Sequence, residues 1–356
     1  MTMCQQPIPR SDFKSAALLR SKAAYQQGLT LVELMVAMAI SLLITLAAAG
    51  VLVVSRQGFS AVDASSQLRD NGRFTADLLQ RLGGQTGYKS AKFVMDEAIE
   101  YDGAAVQVAG KSVDPESSVM GVNNATWKKG EDFDWGKSAA SVSGSSDILV
   151  FRFLTSIEFE DSAGKKYSGM INCAGNPIAA DEPTDRNDRA ISVLYVAISK
   201  GDPVLMCASG DLEQGEPLIE GVENFQVLYG VDRVTPNAVT VANPDKDDGV
   251  PDRYLRADQI TVSGNTEATN ANWRRVRSIR VGMVMRGSVG SAVDRTAQTF
   301  YPFGKAKASS AGAEGSAFAS SDDPGTIFTP TPDGRLRQVV TFTIHLRNDQ
   351  KNGFNQ

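Results

Sequence analysis

The sequence predicts an α+β protein in which one long N-terminal helix packs on a mainly antiparallel β-sheet domain. An apolar run from Leu34 to Val54 and the absence of proline between Pro9 and Pro115 predict the helix. After residue 88 the pattern changes, because several segments alternate apolar and polar residues with Gly, Pro and Asp between them. We expect the helix to have a membrane-spanning half and an amphipathic half.

Residues 1–28 precede the helix and are predicted to be a cytoplasmic leader peptide. This segment carries four Lys or Arg residues and one Asp. Basic residues beside an apolar span favour the cytoplasmic side of the membrane. The remainder of the chain is therefore expected to be exported.

Residues 29–54 are predicted to be the transmembrane and assembly half of the helix. From Leu34 onward, only Ser41, Thr45 and Gly50 interrupt the apolar run. About 20 such residues span a hydrocarbon core, whereas a cleavable secretory signal has an apolar core of roughly 7 to 15 residues. The segment is therefore expected to remain in the working protein. Glu33, near its start, is costly at membrane depth unless a partner offsets its charge.

Residues 55–88 are predicted to form the amphipathic half. The helical spacing depends on the apolar residues Leu68, Phe74, Leu78, Leu79 and Leu82. The glycine-rich stretch "LGGQTGY" that follows favours a helix end. Asn71-Gly72 is unfavourable inside a helix, so a tertiary contact is expected to compensate for it.

Residues 89–356 are predicted to be an exported β-rich domain. Five segments show strand patterns: "DILVFRFLTSIEFED", "AISVLYVAIS", "GVENFQVLYGVD", "VRSIRVGMVMRG" and "RQVVTFTIHLRN". Polar stretches at about 136–146 and 304–327 are expected to be loop insertions.

Charge and cysteine content narrow the partners and the compartment. The chain has a formal charge of −5 and a basic leader, so its exported part is acidic and a poor partner for nucleic acid. Cys4 lies in the leader, which leaves Cys173 and Cys207 in an oxidising compartment. An even pair there favours a Cys173–Cys207 disulfide over two separate buried thiols.

The stretch "NPDKDDGVPDRY" is a candidate metal site. Four carboxylates, Asp245, Asp247, Asp248 and Asp252, surround Gly249. Clustered carboxylate oxygens are the ligands that calcium prefers, although the spacing is not that of an EF-hand loop. A calcium site and a solvated acidic turn both fit this pattern, and no other cofactor is expected.

Catalysis has little support in the sequence. His345 is the only histidine and lies in an alternating strand pattern, where a structural role is expected. There is no H-E-x-x-H and no serine–histidine pairing typical of a hydrolase. We therefore expect no enzymatic activity.

The residues around the start of the helix resemble a known export signal. A basic leader, then "GLTLVE" from Gly28 to Glu33, then an apolar helix, is similar to the class III signal of type IV prepilins. The resemblance implies that prepilin peptidase cuts between Gly28 and Leu29 and methylates the new amino terminus. It also implies that Glu33 faces the amino terminus of a neighbouring subunit in a filament. Phenylalanine is usual at the first mature position, so Leu29 departs from the pattern.

Four further blocks resemble PilW-type minor pilins. They are "LRDNGRFTADLLQRLGGQTGY", "IEGVENFQVLYGVD", "WRRVRSIRVGMVMRG" and "DGRLRQVVTFTIHLRN". This resemblance implies a single-pass inner-membrane subunit with a periplasmic domain. Such a subunit helps to start a type IV pilus, is incorporated at or near its tip, and packs against other minor pilins and the major pilin. A type II secretion pseudopilin shares the same N-terminal features, and a signal-anchored periplasmic binding protein or enzyme is the more distant alternative.

Overall fold

We describe the protein from a computed structural model. The described residues are 28–89, 117–125, 127, 146–179, 189–209, 215–240, 248–304 and 327–348. The chain divides into two compact units, Met1–Ser55 and Arg56–Gln356. The predicted loop insertions at about 136–146 and 304–327 lie almost entirely outside the described residues, as does the leader up to residue 27.

The long helix α1 runs from Leu31–Gln85, close to its predicted extent. In the first unit every described residue is exposed, including the whole apolar run. Within the described part of the chain, this helix alone is long and apolar enough to cross a membrane. Twenty-five helical residues of this unit, from 31 to 55, would extend about 37 Å at 1.5 Å per residue.

The second unit contains twelve described strands, and every described pairing is antiparallel. A five-stranded sheet has the order β1-β2-β6-β7-β8, a four-stranded sheet β10-β9-β11-β12, and a three-stranded sheet β3-β4-β5. The strands are β1 (Val119–Val122), β2 (Ile148–Phe153), β3 (Phe159–Glu160), β4 (Lys166–Ile171), β5 (Pro177–Ala179), β6 (Ala190–Ser199), β7 (Asp202–Ser209), β8 (Glu216–Glu220), β9 (Val222–Val231), β10 (Arg253–Leu255), β11 (Val276–Arg286) and β12 (Arg337–His345). Two short helices, α2 (Ala257–Ile260) and α3 (Thr266–Trp273), lie between β10 and β11.

All five predicted strand segments form strands, which confirms the α+β class. The first of these segments divides into β2 and β3. β7 is not among the five predicted strand segments, although its "DPVLMCAS" segment is mostly buried. A strand covered on both faces shows an apolar run instead of alternation, so period-two reasoning misses it.

Within the second unit, α1 packs against the four-stranded sheet through small residues. Its buried positions share one helix face and are Ala64, Leu68, Gly72, Thr75, Leu79, Leu82 and Gly83. A Cβ on Gly72 would lie 2.9 Å from Val340 Cγ2, and one on Gly83 would clash with Ile344 Cγ2. Glycine therefore lets the helix backbone approach β12 closely, which is the tertiary contact expected for Asn71-Gly72.

Phe74 does not belong to the buried face on which the sequence analysis placed it. Its side chain is 57% exposed, whereas Leu68, Leu79 and Leu82 are buried. At 3.6 residues per turn, Phe74 lies about 200° around the helix from Gly72. It therefore points away from the sheet.

The C-terminal end of α1 is fixed by side-chain hydrogen bonds. The Gln85 side chain donates to Ile171 O at 3.0 Å and accepts from Ile171 N–H at 3.0 Å. Asn348 Nδ2 donates to Gly84 O at 3.1 Å and to Thr86 O at 2.9 Å. The Asn348 bonds satisfy carbonyls that a helix end leaves without intrahelical partners, whereas the Gln85 bonds pair with the backbone of β4. They tie the helix end to β4 and to the segment after β12.

Three charged residues join the strands of the four-stranded sheet. Glu223 accepts from Arg337 Nε at 2.6 Å and from Arg286 Nη1 at 3.2 Å. The side chains of Glu223 and Arg337 are largely buried. Each of the three residues belongs to a different one of the last three sequence blocks that resemble PilW-type minor pilins. The blocks are therefore segments that meet in space.

Candidate subunit-assembly site

The N-terminal end of α1 is closed by a reciprocal pair of side chains. Thr30 N–H and Thr30 Oγ1–H both donate to Glu33 Oε2 at 3.0 Å. In return, Glu33 N–H donates to Thr30 Oγ1 at 3.2 Å. This is a capping box, in which two residues satisfy the free N–H groups of the first turn. The threonine three residues before the glutamate was a sequence signal for this role that the sequence analysis did not use.

The capping box gives Glu33 a partner within its own chain. A carboxylate in the first turn also interacts favourably with the positive end of the helix dipole. Gly28 and Leu29 lie immediately before the helix and are exposed. The predicted cleavage position therefore directly precedes the capped first turn.

Among the described residues of its unit, nothing covers the apolar surface of residues 29–54. Its large side chains are all more than half exposed; they are Leu29, Leu31, Val32, Leu34, Met35, Val36, Met38, Ile40, Leu42, Leu43, Ile44, Leu46, Val51, Leu52, Val53 and Val54. A continuous apolar surface of this size is unstable in water. It requires lipid or the apolar helices of other subunits.

The structure contains the disulfide that the cysteine count predicts. Cys173 and Cys207 are joined, with their Cα atoms 5.6 Å apart. Both residues are buried, and Cys173 N–H donates to Ser192 Oγ at 3.1 Å. Cys173 lies between β4 and β5, and Cys207 lies in β7. The bond therefore attaches the three-stranded sheet to the five-stranded sheet.

The acidic turn is only partly within the described residues. Asp245 and Asp247 lie outside them. Asp248 Oδ1 accepts from Val250 N–H at 2.9 Å, and Asp252 Oδ2 accepts from Arg233 N–H at 2.7 Å. No group of three metal-ligating side chains occurs among the residues that the structure describes. The calcium site remains a prediction, and the contacts of Asp248 and Asp252 are those of a side-chain-stabilised turn.

A buried carboxyl group that the sequence analysis did not select joins two sheets. Asp147, just before β2, accepts from Asn124 N–H at 2.9 Å and from Val227 N–H at 2.8 Å. Its own N–H donates to Phe225 O at 2.7 Å. Burial raises the pKa of the Asp147 carboxyl to about 7, although these hydrogen bonds act in the opposite direction.

His345 is exposed at the end of β12. It pairs with Ser278 in the strand register, as a residue of the sheet.

Comparison with known families agrees with these features. A family model described as type IV pilus-assembly protein W, or PilW, matches residues 193–348, which contain β7 to β12 and the last three blocks quoted above. A model of the prokaryotic N-terminal methylation motif matches residues 24–49. No curated protein matches the chain.

A similar solved structure is a type IV-like pilin from Thermus thermophilus. It is 12% identical, with a TM-score of 0.37, over 80% of this chain and 99% of that chain. This low similarity adds nothing to the two family matches.

The two family matches support different conclusions, one about processing and location and one about the β-rich domain. The methylation motif implies processing by prepilin peptidase and interaction with other pilins. With the apolar helix, it fits a protein anchored in the inner membrane with its domain in the periplasm. The PilW match covers residues 193–348 of the second unit. The chain is therefore a type IV pilin-like protein with a PilW domain.

Proposed function

We propose that this protein is a minor pilin that helps to initiate type IV pilus assembly and is incorporated at or near the pilus tip. It acts after prepilin peptidase has cut between Gly28 and Leu29. The proposal is carried by the exposed apolar surface of residues 29–54, joined in one chain to a PilW domain. A surface of that length stays in lipid while the subunit is stored and is buried among helices when it assembles.

The assembly step is physical and uses no catalytic group. In the membrane, the apolar helix exchanges lipid contacts for contacts with neighbouring helices. Glu33 gains a neighbouring subunit's positively charged amino terminus as a partner, in addition to the contacts of its capping box. Pairing offsets the desolvation of both charges. The Glu33 carboxylate therefore favours addition beside a subunit that is already in place.

The second unit holds its own part of α1, residues 56–85, against the β-sheet. Gly72 and Gly83 bring α1 into close contact with β12, and Asn348 caps its last turn. The Cys173–Cys207 bond and the Glu223 cluster connect strands distant in sequence.

The experiment is an in-frame deletion of the gene, complemented with the wild-type chain. We expect few or no pili on the deletion strain by electron microscopy and restored pili after complementation. Immunogold labelling of the complemented strain should place the protein at fibre ends. Normal pilus number in the deletion strain would contradict the proposal. Normal pili with a loss of secreted proteins would identify a type II secretion pseudopilin instead.

Processing is tested in the same complemented strain. Mass spectrometry should find a mature chain that begins with N-methylated Leu29. An uncut chain would support a signal-anchored periplasmic binding protein or enzyme, and any other start would refute the Gly28 assignment.

A further inference from the structure

The exposed face of α1 in the second unit carries a regular row of charge. Asp63, Asp70 and Asp77 occur every seven residues, and all three side chains are exposed. At 3.6 residues per turn they lie within about 40° of one another around the helix and about 10 Å apart along it. We call these three residues the acidic ridge.

Intrachain contacts do not account for the acidic ridge. Asp63 accepts a hydrogen bond from Gln67 at 2.9 Å. Among the described residues, no ion pair involves Asp63, Asp70 or Asp77. Aspartate is a weak helix former in a helix interior, and the helix dipole favours acids only in the first turn. Neither helix propensity nor the helix dipole therefore gives a reason for three aspartates at these positions.

Two exposed aromatic residues lie along the same line. The side chains of Phe59 and Phe74 are 75% and 57% exposed. They lie within about 60° of each other around the helix and roughly 22 Å apart along it. Large exposed aromatic side chains are typical of a protein–protein contact surface, and the rim of such a surface is polar.

The arginines of the same helix do not match the acidic ridge in spacing. Arg69 and Arg73 lie to one side of the ridge and are four residues apart, or about 6 Å. Arg56 and Arg81 lie at its two ends, 25 residues apart. If a second copy of this chain packed in parallel, neither pair of arginines would have the seven-residue spacing needed to face successive aspartates. The charge pattern therefore fits a different chain better than a second copy.

We propose that the acidic ridge, with Phe59 and Phe74, docks the long helix of a different pilin-type subunit that carries Lys or Arg at seven-residue spacing. The proposal rests on the proposed function, because subunits anchored in one membrane by their N-terminal helices present those helices parallel to each other. Parallel helices with the same charge interval keep opposite charges adjacent over several turns. The ridge thereby selects the neighbouring subunit and fixes its register.

The experiment uses the full chain in piliated cells. The photo-crosslinking residue p-benzoylphenylalanine replaces Phe59 or Phe74, and a control probe replaces Val293, which is 75% exposed in the β domain. We expect a light-dependent adduct from both helix positions and none from the control. Peptide mass spectrometry should locate the adduct in the long helix of another subunit with a methylation motif, beside basic residues at the predicted interval.

Two triple variants with the same change in net charge test the role of the ridge. One is Asp63→Asn, Asp70→Asn and Asp77→Asn. The other neutralises three exposed acids of the second unit outside α1, through Glu216→Gln, Glu220→Gln and Glu267→Gln. Exposed charge pairs each contribute a factor of about two to three, so the ridge variant should lower the adduct yield roughly tenfold. The second variant should leave it unchanged.

Each alternative outcome overturns the proposal. An adduct with a second copy of this chain would show that the ridge is a self-contact. Equal yields in the two triple variants would show that the charges do not select the partner. No adduct in a strain whose pili require the gene would refute the docking surface and leave the proposed function intact. A failed proposed function is recognised separately, by normal pili in the deletion strain.

Discussion

Glu33 has two possible contributions to assembly, and they can be separated by substitution. In the subunit it caps its own helix through Thr30. In a filament we expect it to pair with a neighbouring amino terminus. Glu33→Leu removes both contributions. Glu33→Gln removes the charge but keeps an N3 side chain suited to a capping box, and Thr30→Ala weakens the cap but keeps the charge.

The two contributions differ in expected size. Losing the capping hydroxyl should cost about 1 kcal/mol, or roughly a fivefold change in an equilibrium. Removing one member of a buried charge pair costs about 3–5 kcal/mol, which is more than 100-fold. If pairing dominates, Glu33→Leu and Glu33→Gln should both nearly abolish incorporation, and Thr30→Ala should reduce it only several-fold.

The assay is the amount of this protein in sheared pilus fibres, with subunit level and N-terminal processing measured in the same cells. All three variants should be inserted and cut normally, because the apolar run is unchanged. Normal incorporation of Glu33→Gln with a defect in Thr30→Ala would show that Glu33 acts as a cap. That result would refute the charge pairing that we assign to it.

Four further predictions concern processing and the second unit. Gly28→Leu should leave the uncut precursor in the membrane, as judged by mass and by the absence of N-methylation; a processed variant chain would contradict it. Replacing Cys173 and Cys207 by serine should lower the free energy of unfolding by about 3–4 kcal/mol in denaturant titrations, because the bond closes a loop with a sequence separation of 34; an unchanged midpoint would contradict this expectation. If the turn at residues 245–252 holds calcium, a chelator should lower the melting temperature of the chain in detergent relative to that in millimolar calcium. Equal melting temperatures would contradict the calcium site and support a solvated acidic turn. Because burial raises the pKa of Asp147 to about 7, its contribution to stability is present below about pH 4 and is lost as pH rises to 7. Relative to Asp147→Asn, wild-type stability should therefore fall by about 1.4 kcal/mol per pH unit in that range, and a pH-independent difference would refute the shift.

The sequence by itself determined the long helix, the β-rich class and the export signal, because each depends on local pattern. An uninterrupted apolar run specifies a membrane helix, and alternation specifies a half-buried strand, without any distant contact. The disulfide could also be predicted from sequence. Two of the three cysteines lie in the exported part of the chain, where the compartment is oxidising, and two cysteines can form only one intrachain bond. The helix cap of Thr30 and Glu33 is equally local, because its two residues are three positions apart.

Only the tertiary structure decided which helix face is buried and what the small residues do. Gly72 and Gly83 are unfavourable by local propensity, and their reason is a strand more than 250 residues further along the chain. Phe74 has an apolar side chain that pattern counting assigns to the core, but the sheet lies on the opposite side of the helix. Asp147 became notable only when folding placed its carboxyl group between two backbone N–H groups from distant segments. Helical and strand periods repeat within a few residues, whereas close approach and burial depend on which segments meet in space.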